Sequence, residues 1–104
     1  MVGTIDYLAP EMLLVTGHDT TLDIWCLGVM LYEMLVGKTP FLDESDEVTK
    51  KNILDIKFSK PDNLNEHAGD LIEKLLVLEP ASRLPLKNVL RHNWIKETAD
   101  RTIF

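Results

Sequence analysis

Two carboxylates stand out because they interrupt the most apolar stretch of the chain. Asp23 and Glu33 are the only charged residues in the segment 20–36. A carboxylate in the first turn of a buried helix is costly unless it is hydrogen-bonded. Thr20 stands three residues before Asp23, a spacing that fits a capping box. The pattern therefore predicts either a cap at this helix start or a hydrogen-bonding partner for Asp23 outside the chain.

Cysteine and histidine offer no recognisable nucleophile or metal site. Cys26 is the single cysteine, so no disulfide can form within one copy. Its neighbours Trp25 and Leu27 favour a small buried hydrophobe, and an unpaired thiol suits the reducing interior of a cell. His67 and His92 stand apart without a Cys or His cluster, and we expect no metal site.

The composition is that of a globular protein with an acidic surface. The chain has 104 residues, 45% of them hydrophobic, and a formal net charge of −6. This length allows one domain or part of one. The negative charge disfavours nucleic acid and favours basic partners, although it could equally serve only to keep the chain soluble. The carboxylates inside the apolar stretch argue against a membrane span.

The positions of glycine and proline divide the first half of the chain into three predicted helices. Pro10 opens a short helix that Gly17 closes. The apolar stretch predicts a central helix over 20–36 that stops at Gly37. Acidic residues at 43–47 then begin a third helix, with Glu47 and Lys51 at helical spacing.

The second half predicts two more helices and no strand. Apolar residues recur with one-sided helical spacing until Pro80 ends the pattern, namely Ala68, Leu71, Ile72, Leu75, Leu76 and Leu78. A last short helix follows Pro85 through Leu86, Val89 and Leu90 and ends near 92–95. The predicted class is therefore all-α.

The central helix is apolar on every face and so needs neighbours on all sides. The other predicted helices are short or one-sided and provide too little cover. Two explanations are open at this point: either the chain associates with itself, or further walls come from residues outside it.

Five short motifs follow one another along the chain: Gly3-Thr4-Ile5-Asp6-Tyr7-Leu8-Ala9-Pro10-Glu11, Asp23-Ile24-Trp25-Cys26-Leu27-Gly28, Pro40-Phe41, Arg83 and His92-Asn93-Trp94-Ile95. In this order and spacing they resemble the large lobe of eukaryotic protein kinases. The resemblance covers about residues 1–95. It implies an incomplete domain, the helical C-terminal part of that lobe from the end of the activation segment onward, followed by a short tail at 96–104.

Within that family, the segments 3–12, 36–41 and 68–72 look most like the Aurora serine/threonine kinases. Ala9 departs from the Aurora pattern, which usually has proline there, and leaves a neighbouring group such as the AGC kinases as an alternative. Asn93 and Leu84 also stand where the family often has proline.

The resemblance implies structural roles for three charged residues. Glu11 would pair with Arg83 and fasten the end of the activation segment to the lower helices. Asp23 would accept hydrogen bonds from the backbone of the catalytic loop. Periodicity alone would have assigned Glu11 and Arg83 to the surface.

The resemblance also implies a substrate-binding role for four residues. Gly3 and Thr4 would lie in the loop that receives the residue after the phosphoacceptor, and Leu8 would help to line that pocket. Glu33 matches a position that binds an arginine just before the phosphoacceptor. Together with the acidic run at 43–47, it makes basic protein or peptide substrates the expected class.

Other parts of the kinase machinery have no counterpart among these 104 residues. Phosphoryl transfer needs a glycine-rich loop, a strand-borne lysine, a catalytic-loop aspartate with its asparagine, and a metal-binding aspartate. The chain has no Gly-x-Gly-x-x-Gly, no His-Arg-Asp and no Asp-Phe-Gly. ATP and Mg²⁺, the cofactors of the family, therefore find no predicted binding residues here, and we expect the chain alone to be inactive.

Two functions remain open from the sequence. The chain is either a fragment of an Aurora-like kinase that phosphorylates serine or threonine, or a non-catalytic interaction module that binds basic partners or kinase substrates. Expected partners are basic substrates together with the missing kinase portion or a second copy, without nucleic acid or membrane. The expected location is intracellular, in cytoplasm or nucleus, and the resemblance adds the spindle or centrosome.

Overall fold

The computed structural model describes Ala9, Pro10 and residues 20–101, and within that range the side chains of residues 21–98. The described part contains five α-helices and one short 3₁₀-helix. The α-helices are α1 (Thr20–Val36), α2 (Asp46–Leu54), α3 (Glu66–Leu75), α4 (Leu86–Val89) and α5 (Asn93–Arg101), and the 3₁₀-helix is Pro80–Ser82. No strand occurs in this part, which confirms the all-α class. Most of the helix predicted from Pro10 to Gly17 lies outside the described residues.

Helix α1 has the predicted bounds, and its end is set by Gly37. This residue has a φ of 93°, in the left-handed region that favours glycine. Its N–H donates a hydrogen bond of 2.9 Å to the carbonyl oxygen of Glu33, which satisfies one of the last carbonyls of the helix. Of the helices in residues 20–101, none is long and apolar enough to cross a membrane.

Only one side of α1 is covered within the described residues. Trp25, Val29 and Tyr32 are at most 1% exposed, and α3 is the main helical neighbour on that side. On the other side, Met30 is 53% exposed and Met34 is 74% exposed. This agrees with the predicted shortage of cover for the central helix, because the short helices around α1 reach one side only.

The contact between α1 and α3 depends on a glycine. A Cβ atom built on Gly28 would lie 2.8 Å from Cδ2 of Leu76 and 2.9 Å from Cβ of Leu75. Both leucines are buried. The two helices therefore approach each other more closely than any other residue at position 28 would permit.

Two aromatic pairs join α1 to the segments on either side of α2, and a third joins those segments to each other. The rings of Trp25 and Phe41 are stacked with centroids 5.5 Å apart, and Phe58 meets Phe41 and Tyr32 edge-on, at 5.8 Å each. The Tyr32 hydroxyl donates a hydrogen bond to the carbonyl oxygen of Ser59, and burial raises the pKa of this hydroxyl. These contacts, roughly 0.5–1.5 kcal/mol each beyond area burial, hold the chain before and after α2 against α1.

The acidic run forms the start of α2, as predicted. The Ser45 side chain caps the helix by accepting the Val48 N–H at 3.2 Å, and Asp46 and Glu47 occupy the first turn, where the helix dipole favours negative charge. Lys51 is not paired with Glu47, because its ammonium lies 3.0 Å from the carboxylate of Asp55, one turn further on.

Helix α2 ends in a strained turn that the sequence does not signal. Ile56 has a φ of 51°, a left-handed conformation that costs a β-branched residue about 1–2 kcal/mol. Its N–H donates to the carbonyl of Ile53, and the Lys57 N–H donates to that of Asn52 at 2.8 Å. This is a Schellman motif with isoleucine at the position where glycine is usual.

Two predictions for the second half are wrong in detail. Helix α3 ends at Leu75 rather than at Pro80, and Leu78 is 46% exposed. Pro80 instead opens the 3₁₀-helix. A proline marks where a helix cannot continue, but it does not mark where the helix ends.

The single last helix predicted after Pro85 consists of two helices. Helix α4 ends at Val89 and α5 begins at Asn93, because His92 caps the new helix by accepting the Trp94 N–H on Nδ1 at 3.0 Å. Leu90, part of the predicted last helix, follows the end of α4 and is 61% exposed. Helix α5 runs to Arg101, beyond the predicted end of the domain at residue 95.

Replacement of Gly28 by alanine should destabilise the chain by about 1–2 kcal/mol, since the overpacking cost exceeds the gain in helix propensity. Gly69→Ala is the matched control, because a Cβ atom at position 69 would have its nearest neighbours 3.5 and 3.6 Å away. We expect it to be neutral or to stabilise by about 0.5–1 kcal/mol. Urea unfolding followed by circular dichroism measures both, and equal effects would contradict the close-approach argument.

Candidate functional site at the start of the central helix

Arg83 is the most buried charged residue in the described part of the chain, at 3% exposure. Its Nε donates a hydrogen bond of 2.8 Å to the carbonyl oxygen of Val77, and its Nη1 donates one of 3.0 Å to that of Thr21. Its guanidinium carbon lies 4.9 Å from the centre of the Trp25 ring, within the range of a cation–π contact. Arg83 therefore joins the first turn of α1 to the segment that follows α3.

The backbone around Arg83 holds the side chain in this position. The residue follows the 3₁₀-helix in an extended conformation and donates its N–H to the carbonyl of Pro80. The next residue, Leu84, donates its N–H to the carbonyl of Lys74 at 3.1 Å. The segment that carries Arg83 is thus fixed to the end of α3, and this places the guanidinium against α1.

Trp25 is fully buried beside this guanidinium, yet its indole Nε1 has no hydrogen-bond acceptor in the described part of the chain. An unsatisfied buried donor costs about 1–3 kcal/mol. The stacked Phe41 ring and the cation–π contact with Arg83 compensate by stabilising the ring itself.

Asp23 opens onto a cavity of about 510 Å³ at the start of α1. The side chain is exposed, so the desolvation cost predicted for a buried carboxylate does not arise in this chain. Ile24, Leu27 and Leu86 give the cavity apolar walls, and Arg83 also lines it. The arrangement can accept hydrogen bonds from a group that enters the cavity, but its described residues include no pair of groups suited to proton transfer.

Glu33 belongs to the other end of α1 and is half-buried. It follows Asp23 by ten residues, or about 15 Å along the helix axis at 1.5 Å per residue. The structure therefore does not bring these two carboxylates together. Gly3, Thr4, Leu8 and Glu11 lie outside the described residues, so their predicted substrate-binding roles and the predicted Glu11–Arg83 pair stay predictions.

The histidines of the described region connect helices. His67 Nδ1 lies 2.7 Å from Oε1 of Glu97 and joins α3 to α5. His92 Nε2 lies 2.7 Å from Oδ2 of Asp70. Among residues 20–101, no three His, Cys, Asp or Glu side chains are placed to hold a metal ion.

His92 has a defined tautomer in this arrangement. Its Nδ1 accepts the Trp94 N–H, so the proton resides on Nε2 and is donated to Asp70. The hydrogen bond from Lys74, followed by that from His92, lowers the pKa of the Asp70 carboxyl. Helical spacing indicates the Asp70–Lys74 pair, but no sequence signal indicates that His92 reaches back across 22 residues.

Comparison with known proteins identifies the class of protein to which this helical fold, with its buried Arg83, belongs. Residues 1–95 match the protein kinase domain. The chain is 48% identical over 95 residues to Aurora kinase A-A of Xenopus laevis, 50% over 93 residues to an Aurora kinase of Candida albicans, and 44% over 103 residues to Aurora kinase B-A of Xenopus laevis. The chain belongs to the protein kinase family.

Its similarity within that family is to Aurora serine/threonine kinases, which confirms the predicted subgroup. The three alignments cover 91%, 89% and 99% of this chain, but 23%, 18% and 28% of the respective relatives. The chain thus spans only a minor part of the length of these curated relatives.

Arg83→Met should destabilise the chain by about 2–4 kcal/mol, because it removes the guanidinium donor from two part-buried main-chain carbonyl oxygens and removes the cation–π contact. Arg91→Met removes the same charge from an exposed position and should change stability by less than about 0.5 kcal/mol. Urea unfolding measures both variants. An Arg83→Met chain as stable as the wild type would show that Arg83 does not anchor α1.

Asp70→Asn should reduce stability by about 0.5–1 kcal/mol at neutral pH, since the side chain is half-exposed and its ion pair is screened. A carboxyl whose pKa is lowered by folding stabilises the chain above its unfolded pKa, and this contribution disappears as the pH falls through the folded pKa. The difference between wild type and variant should therefore shrink as the pH falls below the ordinary aspartate pKa of about 3.9, and vanish once the Asp70 carboxyl of the folded chain is protonated. Asp62→Asn, at an exposed turn position, is the control, and a pH-independent difference at Asp70 would contradict the explanation.

Proposed function

We propose that this chain forms the helical, substrate-side part of the large lobe of a serine/threonine protein kinase. In the assembled kinase, the γ-phosphate of ATP would pass to serine or threonine of basic protein substrates. The observation that carries this proposal is the start of α1, where a buried arginine fixes the helix while Asp23 faces an open, mostly apolar cavity. That geometry suits a platform that receives another segment and positions it through the exposed carboxylate.

The chain alone is proposed to be catalytically inactive. None of the 104 residues forms a glycine-rich phosphate loop, a His-Arg-Asp or an Asp-Phe-Gly motif, and these groups bind ATP and Mg²⁺ and orient the acceptor in kinases. The guanidinium of Arg83 is engaged by the main-chain carbonyl oxygens of Val77 and Thr21, which is a structural role. In the assembled kinase, ATP and Mg²⁺ would therefore be bound by residues other than these.

The preference for basic substrates is proposed from charge. Glu33 is half-buried near the end of α1, and residues 42–47 of the following segment are all exposed. Asp43, Glu44, Asp46 and Glu47 give this segment four carboxylates. A surface of this sign attracts arginine-containing peptides and repels acidic ones. The similarity to Aurora kinases supports an intracellular location, and we extend this proposal to the spindle or centrosome.

A second candidate is a non-catalytic module that holds basic partners or kinase substrates. The exposed face of α1 favours it, because Met30, Met34 and Leu35 are 53%, 74% and 41% exposed and form an apolar surface next to the acidic one. Either the remaining kinase portion or a second copy of the chain could cover that face.

Binding of a basic peptide should depend on Glu33. We expect isothermal titration calorimetry to detect an arginine-rich peptide on the 104-residue chain, and Glu33→Gln to weaken it about tenfold, or ~1.4 kcal/mol. Glu79→Gln removes the same charge from an exposed position and should change the affinity by less than about twofold. Equal weakening by both variants, or no binding by the wild type, would sink the basic-substrate proposal.

The kinase and module proposals differ in the transcript and in activity. A reading frame that encodes an Asp-Phe-Gly within about two dozen codons upstream of residue 1 supports the kinase. The protein from that longer frame should then phosphorylate an arginine-containing peptide, whereas the 104-residue chain should not. If no such frame exists and the peptide still binds, the module is correct.

A further inference from the structure

A groove of about 310 Å³ lies between the end of α1 and the turn that follows α2. Tyr32 and Asn52 contribute to its buried part, and Leu42 and Phe58 give it apolar walls. Lys38 and Lys57 are both exposed at its rim. We call this feature the Lys38–Lys57 groove. The proposed function above uses Asp43 and the exposed segment 42–47, but it does not use the two lysines.

The charge of the groove is opposite to that of the chain as a whole. Neither Lys38 nor Lys57 forms a salt bridge with a described side chain, whereas Lys51, Lys60 and Lys74 each do. The groove therefore presents two ammonium groups without a salt-bridge partner among the described residues, on a chain whose formal net charge is −6.

Asp43, the carboxylate that shares the groove, is already engaged by neighbouring donors. Its Oδ1 accepts the Glu44 N–H at 2.8 Å, and its Oδ2 accepts the Asn52 side-chain amide at 3.2 Å. These hydrogen bonds, with a smaller contribution from the Lys57 charge, lower the pKa of Asp43 and keep it ionised. One lysine charge therefore remains in excess in the groove.

The apolar part of the groove is held rigidly by the core. Leu42 is 56% exposed, while Phe58 is fixed by edge-on contacts with both Tyr32 and Phe41. Asn52 donates to the carbonyl of Phe41 at 3.1 Å and so fixes the segment that carries Leu42. A surface held in place in this way loses little entropy when it binds a ligand.

The strained turn at the end of α2 positions two of the groove residues, Lys57 and Phe58. Ile56, with its φ of 51°, directly precedes Lys57 and Phe58. The Lys57 N–H is held by the carbonyl of Asn52 at 2.8 Å. Backbone strain of this kind persists where the surrounding structure requires a particular placement, and it is concentrated at binding sites.

We propose that the Lys38–Lys57 groove binds an acidic segment of a partner protein. A carboxylate of that segment contacts Lys38 or Lys57, and an apolar side chain one or two residues away contacts Leu42 and Phe58. Charge complementarity selects this partner, since a basic segment would meet two ammonium groups in the groove. The groove thus adjoins the proposed substrate surface at Leu42 and Asp43, and its two lysines give it the opposite charge preference.

The test uses the full 104-residue chain and three capped hexapeptides, with binding followed by ¹H–¹⁵N NMR. The probe is Glu-Asp-Leu-Glu-Phe-Asp. It is accompanied by a pool of hexapeptides of the same composition, in which leucine and phenylalanine are placed at all the remaining pairs of positions. Its neutral match is Gln-Asn-Leu-Gln-Phe-Asn, and its match without apolar residues is Glu-Asp-Ser-Glu-Ser-Asp. We expect the probe or its pool to shift the amide signals of Leu42 and Phe58, and both matches to bind at least about tenfold more weakly.

The charge-reversed variant Lys38→Glu/Lys57→Glu should weaken binding of the probe at least about tenfold. The control Lys87→Glu/Arg91→Glu changes the net charge equally at exposed positions of the fourth helix and the turn after it, and should stay within about threefold of the wild type. Circular dichroism checks that both variants keep their helices.

Three results would overturn the proposal. The first is no binding by the probe or its pool up to about 1 mM. The second is equal weakening in both charge-reversed variants, which would indicate general electrostatics. The third is a self-associating wild-type chain whose Lys38→Glu/Lys57→Glu variant is monomeric by sedimentation, which would assign the groove to a second copy.

Discussion

The guanidinium of Arg83 ties together parts of the chain that are far apart in sequence. It bonds to one carbonyl in the first turn of α1 and to another after α3, and it lies against the Trp25 ring. The Trp25 ring is in turn stacked on Phe41, which precedes α2, and Phe41 contacts Phe58, which follows α2. A buried charge is stabilising only when its hydrogen bonds are satisfied. The position of α1 relative to the other helices therefore depends on two main-chain oxygens that must stay where they are.

The one-sided cover of α1 explains how a kinase-family chain of this size can be both ordered and incomplete in its contacts. One face of α1 is buried against α3 and the aromatic residues, while the opposite face carries exposed methionines. Asp23 lies at one end of the helix beside an open cavity, and Glu33 lies near the other. One face of α1 thus belongs to the hydrophobic core, and the other face is exposed and can bind a partner.

The sequence predicted the helix ends well where local residues mark them, and poorly where contacts between distant residues determine where a helix ends. Gly37 and the apolar run before it were sufficient for the bounds of α1. The end of α3 and the break between α4 and α5 were not predicted, because Leu78 and Leu90 continue a helical period although both are exposed. The burial of Arg83 rests on a carbonyl 62 residues earlier in the chain. Periodicity contains no information on such a contact, and only the family resemblance singled out Arg83.

The close approach at Gly28 has a consequence for how α1 can move. Rotation by one residue would place Leu27 or Val29 against Leu75 and Leu76, where even a single methyl group does not fit. Sliding by one turn would place Ile24 or Tyr32 there. The helix therefore has one permitted rotational and axial register against α3, and any displacement of one must carry the other with it as a rigid pair. A displacement of the start of α1 beside Asp23 would accordingly move α3 as well, and with it the carboxylate of Asp70 that contacts His92, the residue before α5.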